Sequence, residues 1–207
     1  MGVFFILKIH YNFTCITFNY CVMNKKITII LISTLFILVA CSSKWQKPLS
    51  QDTPKEYIEK QENLIKKNLE TLDQDPENAE AAFEVGFAYQ QLNEFKKAIA
   101  YYEKVLKLVP AHFASLNNLA DIYEQVEEYE LAAKYIKKLY ETNEADNEVI
   151  RDTVRILLKN NEPQNAQQAL ENFARKTKDT ATPEQIQMIG NLYESIQIYK
   201  NEHEKNN

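Results

Sequence analysis

The sequence predicts an all-α protein built from stacked helix pairs, and three observations support that prediction. Glycine is scarce, with 3 residues in 207, and proline is modest at 6, which argues against a fold rich in strands and turns. Similar residues return at a fixed interval of 34 positions between residues 76 and 180. Apolar side chains within this region recur at helical spacing. A constant period of this length is typical of a helical repeat array, whereas an ordinary helical bundle would show it only by chance.

The charge divides the chain into a basic leader and an acidic body. Residues 1–40 contain three lysines and no Asp or Glu, so the remainder holds 21 basic and 29 acidic residues. Phosphate binding requires clustered Lys and Arg, which this acidic body does not suggest. We therefore expect no nucleic-acid partner.

Residues 27–40 form a run of fourteen apolar or small residues that follows Lys25 and Lys26. The run is shorter than the roughly 20 residues of a membrane-spanning helix and fits the apolar region of a signal peptide. We therefore interpret residues 23–40 as a signal peptide that starts at Met23. Residues 1–22 are then an upstream extension from a misplaced start, and the alternative is an unusually long basic region of the same signal.

The signal ends in Leu38-Val39-Ala40-Cys41, which resembles the lipobox of bacterial lipoproteins. The resemblance implies that Cys41 receives a diacylglyceryl group, that the chain is cut before it, and that the new amino group is acylated, with palmitate as the typical chain. Ser42 resembles the residue that follows the cysteine in proteins sorted to the outer membrane. We expect a lipid-anchored protein that faces the periplasm, unless Cys41 merely lies near the end of an ordinary signal or membrane helix.

The two remaining cysteines, Cys15 and Cys21, precede the predicted cleavage point and are assigned no site. Because no cysteine follows Cys41, the body can hold neither a disulfide framework nor a cysteine metal site. Residues 41–52 are polar and interrupted by proline, so they are predicted to be a tether. Thr53-Pro54-Lys55-Glu56 then indicates a helix start, with Thr53 as the N-cap, and residues 53–75 are predicted to form an N-terminal cap helix.

The repeated residues begin after this helix. Gly86 and Ala120, Tyr89 and Tyr123, and Ala98 and Ala132 are each 34 residues apart. A third and more degenerate copy keeps apolar or small residues at the matching positions Ile150, Val154, Leu157, Ala166 and Leu170. The pattern Ala82-x₂-Val85-Gly86-x₂-Tyr89, Ala98-x₃-Tyr102, Pro110 resembles the tetratricopeptide repeat. That resemblance implies a right-handed superhelix of antiparallel helix pairs, with about three repeats over residues 76–180.

A further helix is predicted over residues 181–200, where Thr182-Pro183-Glu184-Gln185 forms a capping box. Gly190 stands in register with Gly86 and Ala120, and small residues at this position are expected to let the two helices of a pair approach closely. The helices over 53–75 and 181–200 are predicted to cap the array, because stacked repeats need protected ends. Residues 201–207 are polar and are predicted to be a disordered tail.

No catalytic constellation is evident. The body holds two histidines, His112 and His203, and neither has a partner at metal-binding spacing. Glycine-rich phosphate loops and hydrolase motifs are absent. Carboxylates such as Glu127 and Glu128 lie at predicted turns, where capping or solvation explains them. We expect no enzyme activity, no cofactor, no metal site and no small-molecule substrate.

A binding surface is the remaining functional candidate. In the family that the repeats resemble, residues of the first helices that are not used for packing line a concave groove. By register, these include Glu80, Glu124 and Lys159, and the groove candidates that we single out are Phe83, Phe87, Gln90, Asn117, Asp121, Arg151 and Arg155. Aromatic and basic side chains together suit a peptide with apolar and acidic groups. The alternative is that the phenylalanines pack on the N-terminal cap helix and the arginines pair with nearby carboxylates.

The function predicted from these features is that of a membrane-anchored scaffold that binds protein or peptide partners in the periplasm. Similar lipoproteins with such repeats assist type IV pilus or envelope assembly, so these are the expected settings. The alternative is an accessory subunit that recruits a cell-wall hydrolase or a periplasmic protease. An enzyme is the third class considered, and it would need chemistry from residues that show none of its patterns.

Overall fold

A computed structural model of the chain describes Trp45 and residues 48–204. The predicted signal peptide, Cys41 and its lipobox, and residues 205–207 of the predicted tail lie outside the described residues. All the described helices belong to a compact unit of residues 46–207. That part of the chain forms eight α-helices and no strand, with the bounds α1 Lys55–Gln74, α2 Ala79–Gln91, α3 Phe95–Leu108, α4 Phe113–Gln125, α5 Tyr129–Thr142, α6 Asn147–Lys159, α7 Pro163–Thr177 and α8 Pro183–Glu204.

The helices form a solenoid of stacked antiparallel pairs, as the repeat pattern predicts. Each helix packs against the next one along the chain, and α8 also packs against α6. Side-chain bonds connect α2 to α4, α4 to α6 and α6 to α8, and we call these four helices the first-helix layer. Other bonds connect α3 to α5 and α5 to α7, which form the second-helix layer. These bonds join Gln90 to Asp121, Lys159 to Glu124, Gln185 to Asn147, Tyr135 to Glu103, and Tyr140 to the carbonyl of Ala169.

The turn inside each helix pair repeats with the same 34-residue period. Asn93, Glu127 and Asn161 have φ values of 57°, 61° and 57°, in the left-handed region. The N–H group of the residue after each of them donates to a carbonyl five positions earlier, as Glu94 does to Tyr89. This is the Schellman arrangement, which satisfies carbonyl groups at the end of a helix. The period therefore specifies backbone conformation as well as side-chain packing.

The two outer helices begin in different ways. At α8 the predicted capping box is present, because the Thr182 N–H donates to Gln185 Oε1 at 3.0 Å and the Gln185 N–H donates to Thr182 Oγ1 at 3.3 Å. At α1 the prediction is off by one residue, since the helix starts at Lys55 and its N-cap is Pro54, which makes no side-chain cap bond. The backbone carbonyl of Pro54 instead accepts from the N–H groups of Tyr57 and Ile58. Helix α8 continues to Glu204, past the predicted end at residue 200.

The core lies between the two layers and contains the residues that repeat. Ala98, Ala132 and Ala166 are fully buried at the matching position of α3, α5 and α7. Tyr102, Phe95 and Phe173 are the largest completely buried side chains of the described residues. No helix in this part of the chain is both long enough and apolar enough to cross a membrane.

The two glycines of the repeat position differ in their surroundings. A Cβ atom at Gly86 would lie 3.0 Å from ring atoms of Tyr102 and 3.2 Å from Cβ of Tyr101, so close packing explains glycine there. A Cβ atom at Gly190 would meet nothing within 4 Å. The prediction of a close helix approach is therefore confirmed for Gly86 and wrong for Gly190, because no helix covers that face of α8.

We expect opposite stability changes from the same substitution at these glycines. Gly86→Ala should lower the free energy of unfolding by about 1–3 kcal/mol, because the buried Tyr102 ring cannot move aside. Gly190→Ala should raise it by about 0.5–1 kcal/mol, because alanine loses less backbone entropy in an open helical position. Urea unfolding followed by circular dichroism measures both. Equal effects at the two positions would contradict the packing described here.

Candidate functional site

The predicted groove residues lie on the first-helix layer, and aromatic rings occupy one end of it. Phe83 and Phe87 are one turn apart on α2, with ring centroids 6.3 Å apart. The Phe83 ring also contacts Tyr102 at 5.7 Å and His112 at 5.2 Å. Phe87 remains 38% exposed, and Phe113, which follows His112, is 45% exposed. We call Phe83, Phe87 and Phe113 the aromatic patch.

The contacts of Phe83 agree with the alternative that the phenylalanines pack against the N-terminal helix. Phe83 is half-buried and packs against a cluster that includes Ile65 and Leu72 of α1, so it does contribute to the N-terminal core. Phe87 is not part of that cluster and remains exposed to solvent. Within the patch, Phe83 is thus a supporting ring beneath the exposed Phe87, a geometry suited to holding an apolar side chain.

A polar network lies beside the aromatic patch and fixes the next two predicted residues. Tyr102 donates its hydroxyl to Gln90 Oε1 at 2.6 Å and accepts from Asn118 Nδ2 at 2.9 Å. Gln90 Nε2 donates to Asp121 Oδ2 at 3.4 Å, and Gln125 Nε2 donates to the same oxygen at 2.8 Å. Burial raises the pKa of Asp121, although the bond from Gln125 opposes the shift. The network therefore holds Gln90 and Asp121 in fixed positions between α2 and α4.

A charge cluster continues the surface from α4 to α6. Glu124 is buried, with only 9% of its surface exposed, and accepts from Lys159 Nζ at 2.9 Å and from Arg155 Nη1. Arg155 also donates to Asp152 at 2.7 Å. Burial would raise the pKa of Glu124, but the bonds from Lys159 and Arg155 outweigh it and leave that pKa lowered. The alternative that the arginines pair with nearby carboxylates is therefore correct for Arg155.

The two predicted arginines have different environments. Arg155 lines a cleft of about 80 Å³ together with Asn117, Asp121 and Glu124 of α4. The groove candidates Asn117, Asp121 and Arg155 therefore meet there. Arg151 lies apart from that cleft, because its Nε atom contacts Met188 Sδ of α8 at 3.2 Å. Arg151 is exposed and makes no ion pair within the described residues. Its guanidinium therefore remains available to a ligand.

Several residues that build this surface were not singled out from the sequence. His112 caps α4 by accepting from the Ser115 N–H at 3.2 Å, and Asn118 and Met188 supply contacts from neighbouring helices. The pairs Asp121–Gln125 and Asp152–Arg155 follow the four- and three-residue spacing of helix neighbours and could have been found from it. The contacts between helices carry no such signal. No group of three or more His, Cys, Asp and Glu side chains among the described residues could hold a metal ion.

We expect Glu124→Gln to lower the free energy of unfolding by about 1 kcal/mol at neutral pH, because two half-exposed cations lose their shared carboxylate. The folded-state pKa of Glu124 lies below its ordinary value of 4.5, so its contribution is present above that pH. The contribution is lost as the pH falls through the lowered folded-state pKa. Urea unfolding of both proteins across the acid range measures this, with Glu130→Gln as the exposed control. A difference that persists in strong acid would contradict the assignment.

Comparison with known proteins agrees with the repeat organisation. Residues 79–112 and residues 115–150 each match a family profile described as tetratricopeptide repeat. The first match covers the pair α2–α3, and the second covers α4–α5 and the start of α6. No curated protein matches the chain significantly.

Solved structures with the same helical architecture include a tetratricopeptide repeat protein from Parabacteroides merdae, with 16% identity and a TM-score of 0.53. That alignment covers 73% of this chain and 62% of the other. A crystal structure of MamA matches with 18% identity and a TM-score of 0.51, over 66% of this chain and 78% of that one. A MamA RS-1 double mutant matches with 17% identity and a TM-score of 0.50, over 65% and 86%. These similarities show the fold alone.

Proposed function

Because the chain belongs to the tetratricopeptide-repeat family, we propose that it is a scaffold whose first-helix layer binds a segment of a partner protein. Repeats of this kind support protein–protein interaction, and the finer proposal concerns where and what this chain binds. The observation that carries it is that one layer presents both an exposed Phe87 ring on α2 and an exposed Arg151 on α6. Between them, Gln90, Asp121 and Arg155 are held by hydrogen bonds, so the surface is preorganised.

The chemistry of this surface favours a segment with an apolar anchor and an acidic group. The ring pair of Phe83 and Phe87 offers an apolar face, where a buried anchor contributes most of the binding energy. Arg151 offers a guanidinium, which binds a carboxylate through two parallel hydrogen bonds. In the central part of the face, Arg155 and Lys159 already pair with Glu124 and Asp152, so among the described residues no unpaired cation is available there for an acidic group. The acidic group is therefore assigned to the Arg151 end.

We also propose that the scaffold is held on a bacterial membrane through acyl chains on Cys41 and that it binds its partners in the periplasm. The support is the lipobox-like sequence at Leu38–Cys41 behind an apolar run of signal-peptide length. A scaffold placed this way suits envelope assembly, including assembly of type IV pili. The accessory-subunit alternative differs in the partner, which would be a cell-wall hydrolase or a protease.

The binding face is tested by capture of a partner on purified protein. Phe87→Ala combined with Arg151→Ala should weaken the captured complex by about tenfold or more, since exposed anchors of this kind contribute about 1 kcal/mol or more each. Helicity should be unchanged, because both side chains are exposed. Crosslinking in intact cells, followed by mass spectrometry, identifies the partner, and titration calorimetry gives the affinity.

The matched control is Leu108→Ala combined with Lys96→Ala, which removes an exposed apolar and an exposed basic side chain from the second-helix layer. This variant should keep the wild-type affinity. If both double variants bind as tightly as the wild type, the binding face lies elsewhere. The identity of the partner decides between an assembly component and a hydrolase or protease.

A further inference from the structure

The two layers of the solenoid differ in charge. Helices α3, α5 and α7 of the second-helix layer carry nine Lys or Arg and four Asp or Glu. Helices α2, α4, α6 and α8 of the first-helix layer carry four basic and ten acidic residues. The helices of the second-helix layer therefore carry a net positive charge, although the body as a whole is acidic. Such segregation gives the two faces potentials of opposite sign and favours different partners.

Within the second-helix layer, three lysines gather without ion pairs. Lys107 of α3 and Lys134 and Lys138 of α5 are all exposed and make no ion pair among the described residues. They line one shallow cleft of about 220 Å³ with Tyr135 and Glu103. Glu103 is the carboxylate of that cleft, and it accepts the Tyr135 hydroxyl at 3.0 Å. We call Lys107, Lys134 and Lys138 the lysine cluster.

Three of the six other cations of this layer are neutralised by ion pairs, and the cluster differs from the remaining three because its lysines line one cleft together. Lys97 pairs with Glu94, Lys137 with Glu162, and Lys176 with Glu144. Next to the cluster, Leu108 and Val109 are exposed by 37% and 41%. The cluster therefore combines positive charge with an apolar edge, as surfaces that meet lipid headgroups do.

We propose that the second-helix layer contacts anionic lipid headgroups through the lysine cluster, which turns the first-helix layer away from the bilayer. The inference rests on the proposed anchor at Cys41. Thirteen residues separate Cys41 from Lys55, and they can span at most about 45 Å. A domain held this close to a bilayer is at high effective concentration, so a few lysines suffice to orient it. The orientation leaves the partner-binding surface facing the periplasm.

Lysine acetylation of the full processed protein tests the contact. The protein is incorporated into vesicles of phosphatidylcholine or of phosphatidylcholine mixed with phosphatidylglycerol, treated with acetic anhydride, and analysed by mass spectrometry. Acetylation of the lysine cluster should be roughly fivefold slower on the anionic vesicles. The difference should disappear at about 1 M salt, where screening acts over roughly 3 Å. Lys159, on the first-helix layer, should react equally on both vesicles.

A charge variant supplies a second readout. Lys134→Gln combined with Lys138→Gln should remove the protection of Lys107, whereas Lys66→Gln combined with Lys67→Gln on α1 should retain it. The four lysines are exposed, so neither variant should unfold the protein.

The outcomes separate this inference from the proposals on which it rests. Vesicle flotation with equal lysine reactivity on both lipids overturns the lipid contact and leaves the anchor intact. Failure to float on either vesicle overturns the anchor and this inference together. Protection of the cluster by added DNA or RNA, but not by anionic vesicles, assigns the layer to nucleic acid and overturns the lipid contact. None of these outcomes depends on capture of a protein partner.

Discussion

Tyr102→Ala is expected to lower the free energy of unfolding by about 3–5 kcal/mol, the largest stability change that we predict. The Tyr102 side chain is completely buried, and its ring lies against the space left by Gly86. Alanine would leave a cavity lined by Phe83 and by the backbone of α2, which the surrounding helices cannot fill without moving. Unfolding in urea, monitored by circular dichroism, measures the loss.

The hydroxyl of Tyr102 adds a second contribution that a more conservative variant isolates. It bridges Gln90 of α2 and Asn118 of α4, so it connects three helices through one oxygen. Burial raises the pKa of this phenol, and the hydroxyl therefore keeps its proton and donates to Gln90. Tyr102→Phe should remove only about 1–2 kcal/mol, because it retains the ring and loses the two hydrogen bonds.

The loss should also be local, because a solenoid is stabilised by contacts between neighbours. Hydrogen exchange should accelerate in α2, α3 and α4 of Tyr102→Ala while α7 and α8 keep their protection. A uniform acceleration along residues 55–204 would mean that the array unfolds as one unit and would contradict this expectation. A Tyr102→Ala protein as stable as Tyr102→Phe would show that the ring contributes little.

Cys41→Ser should abolish lipid attachment altogether, the largest functional change that we predict. The proposed anchor forms a thioether at the Cys41 sulfur, and serine supplies no thiol for it. Each buried CH₂ of an acyl chain contributes about 0.8 kcal/mol, so several chains hold a protein on a membrane that would otherwise release it. The variant should incorporate no radiolabelled palmitate and should accumulate as an uncleaved precursor on a denaturing gel.

The chain offers matched controls at its other two cysteines. Cys15→Ser and Cys21→Ser should be labelled and processed like the wild type, because both residues precede the predicted cleavage point. Labelling of Cys41→Ser at the normal level would end the lipobox interpretation. Labelling that is lost in Cys21→Ser but kept in Cys41→Ser would move the attachment site.

The sequence predicts the helix pairs well because the repeat residues are the ones that the fold buries. Gly86 and Tyr102 occupy motif positions, and a Cβ atom at Gly86 would lie only 3.0 Å from the Tyr102 ring. The degenerate third copy still forms the pair α6–α7, because Ile150, Leu157 and Ala166 are buried as their register requires. Side-chain size at a few positions was enough to specify these contacts.

The polar surface is harder to predict, because its bonds depend on how neighbouring helices are rotated and offset. Asn117, Asp121 and Arg155 share a face by register, yet nothing in their spacing indicates that Glu124 takes up both Arg155 and Lys159. Register also assigned Gly190 a packing role that requires a second helix beside it. A pattern within one helix specifies which face is available, whereas the occupant of that face depends on the rest of the chain.

The left-handed backbone conformation of Glu127 affects where the array is expected to deform. The equivalent turns place asparagine in the left-handed conformation, which its short amide tolerates, whereas glutamate adopts it at a penalty of about 1–2 kcal/mol. The connection between α4 and α5 is therefore under strain that its two counterparts largely avoid. When the array is stretched or heated, we expect it to bend first at this turn, which connects the helices carrying Phe87 to those carrying Arg151.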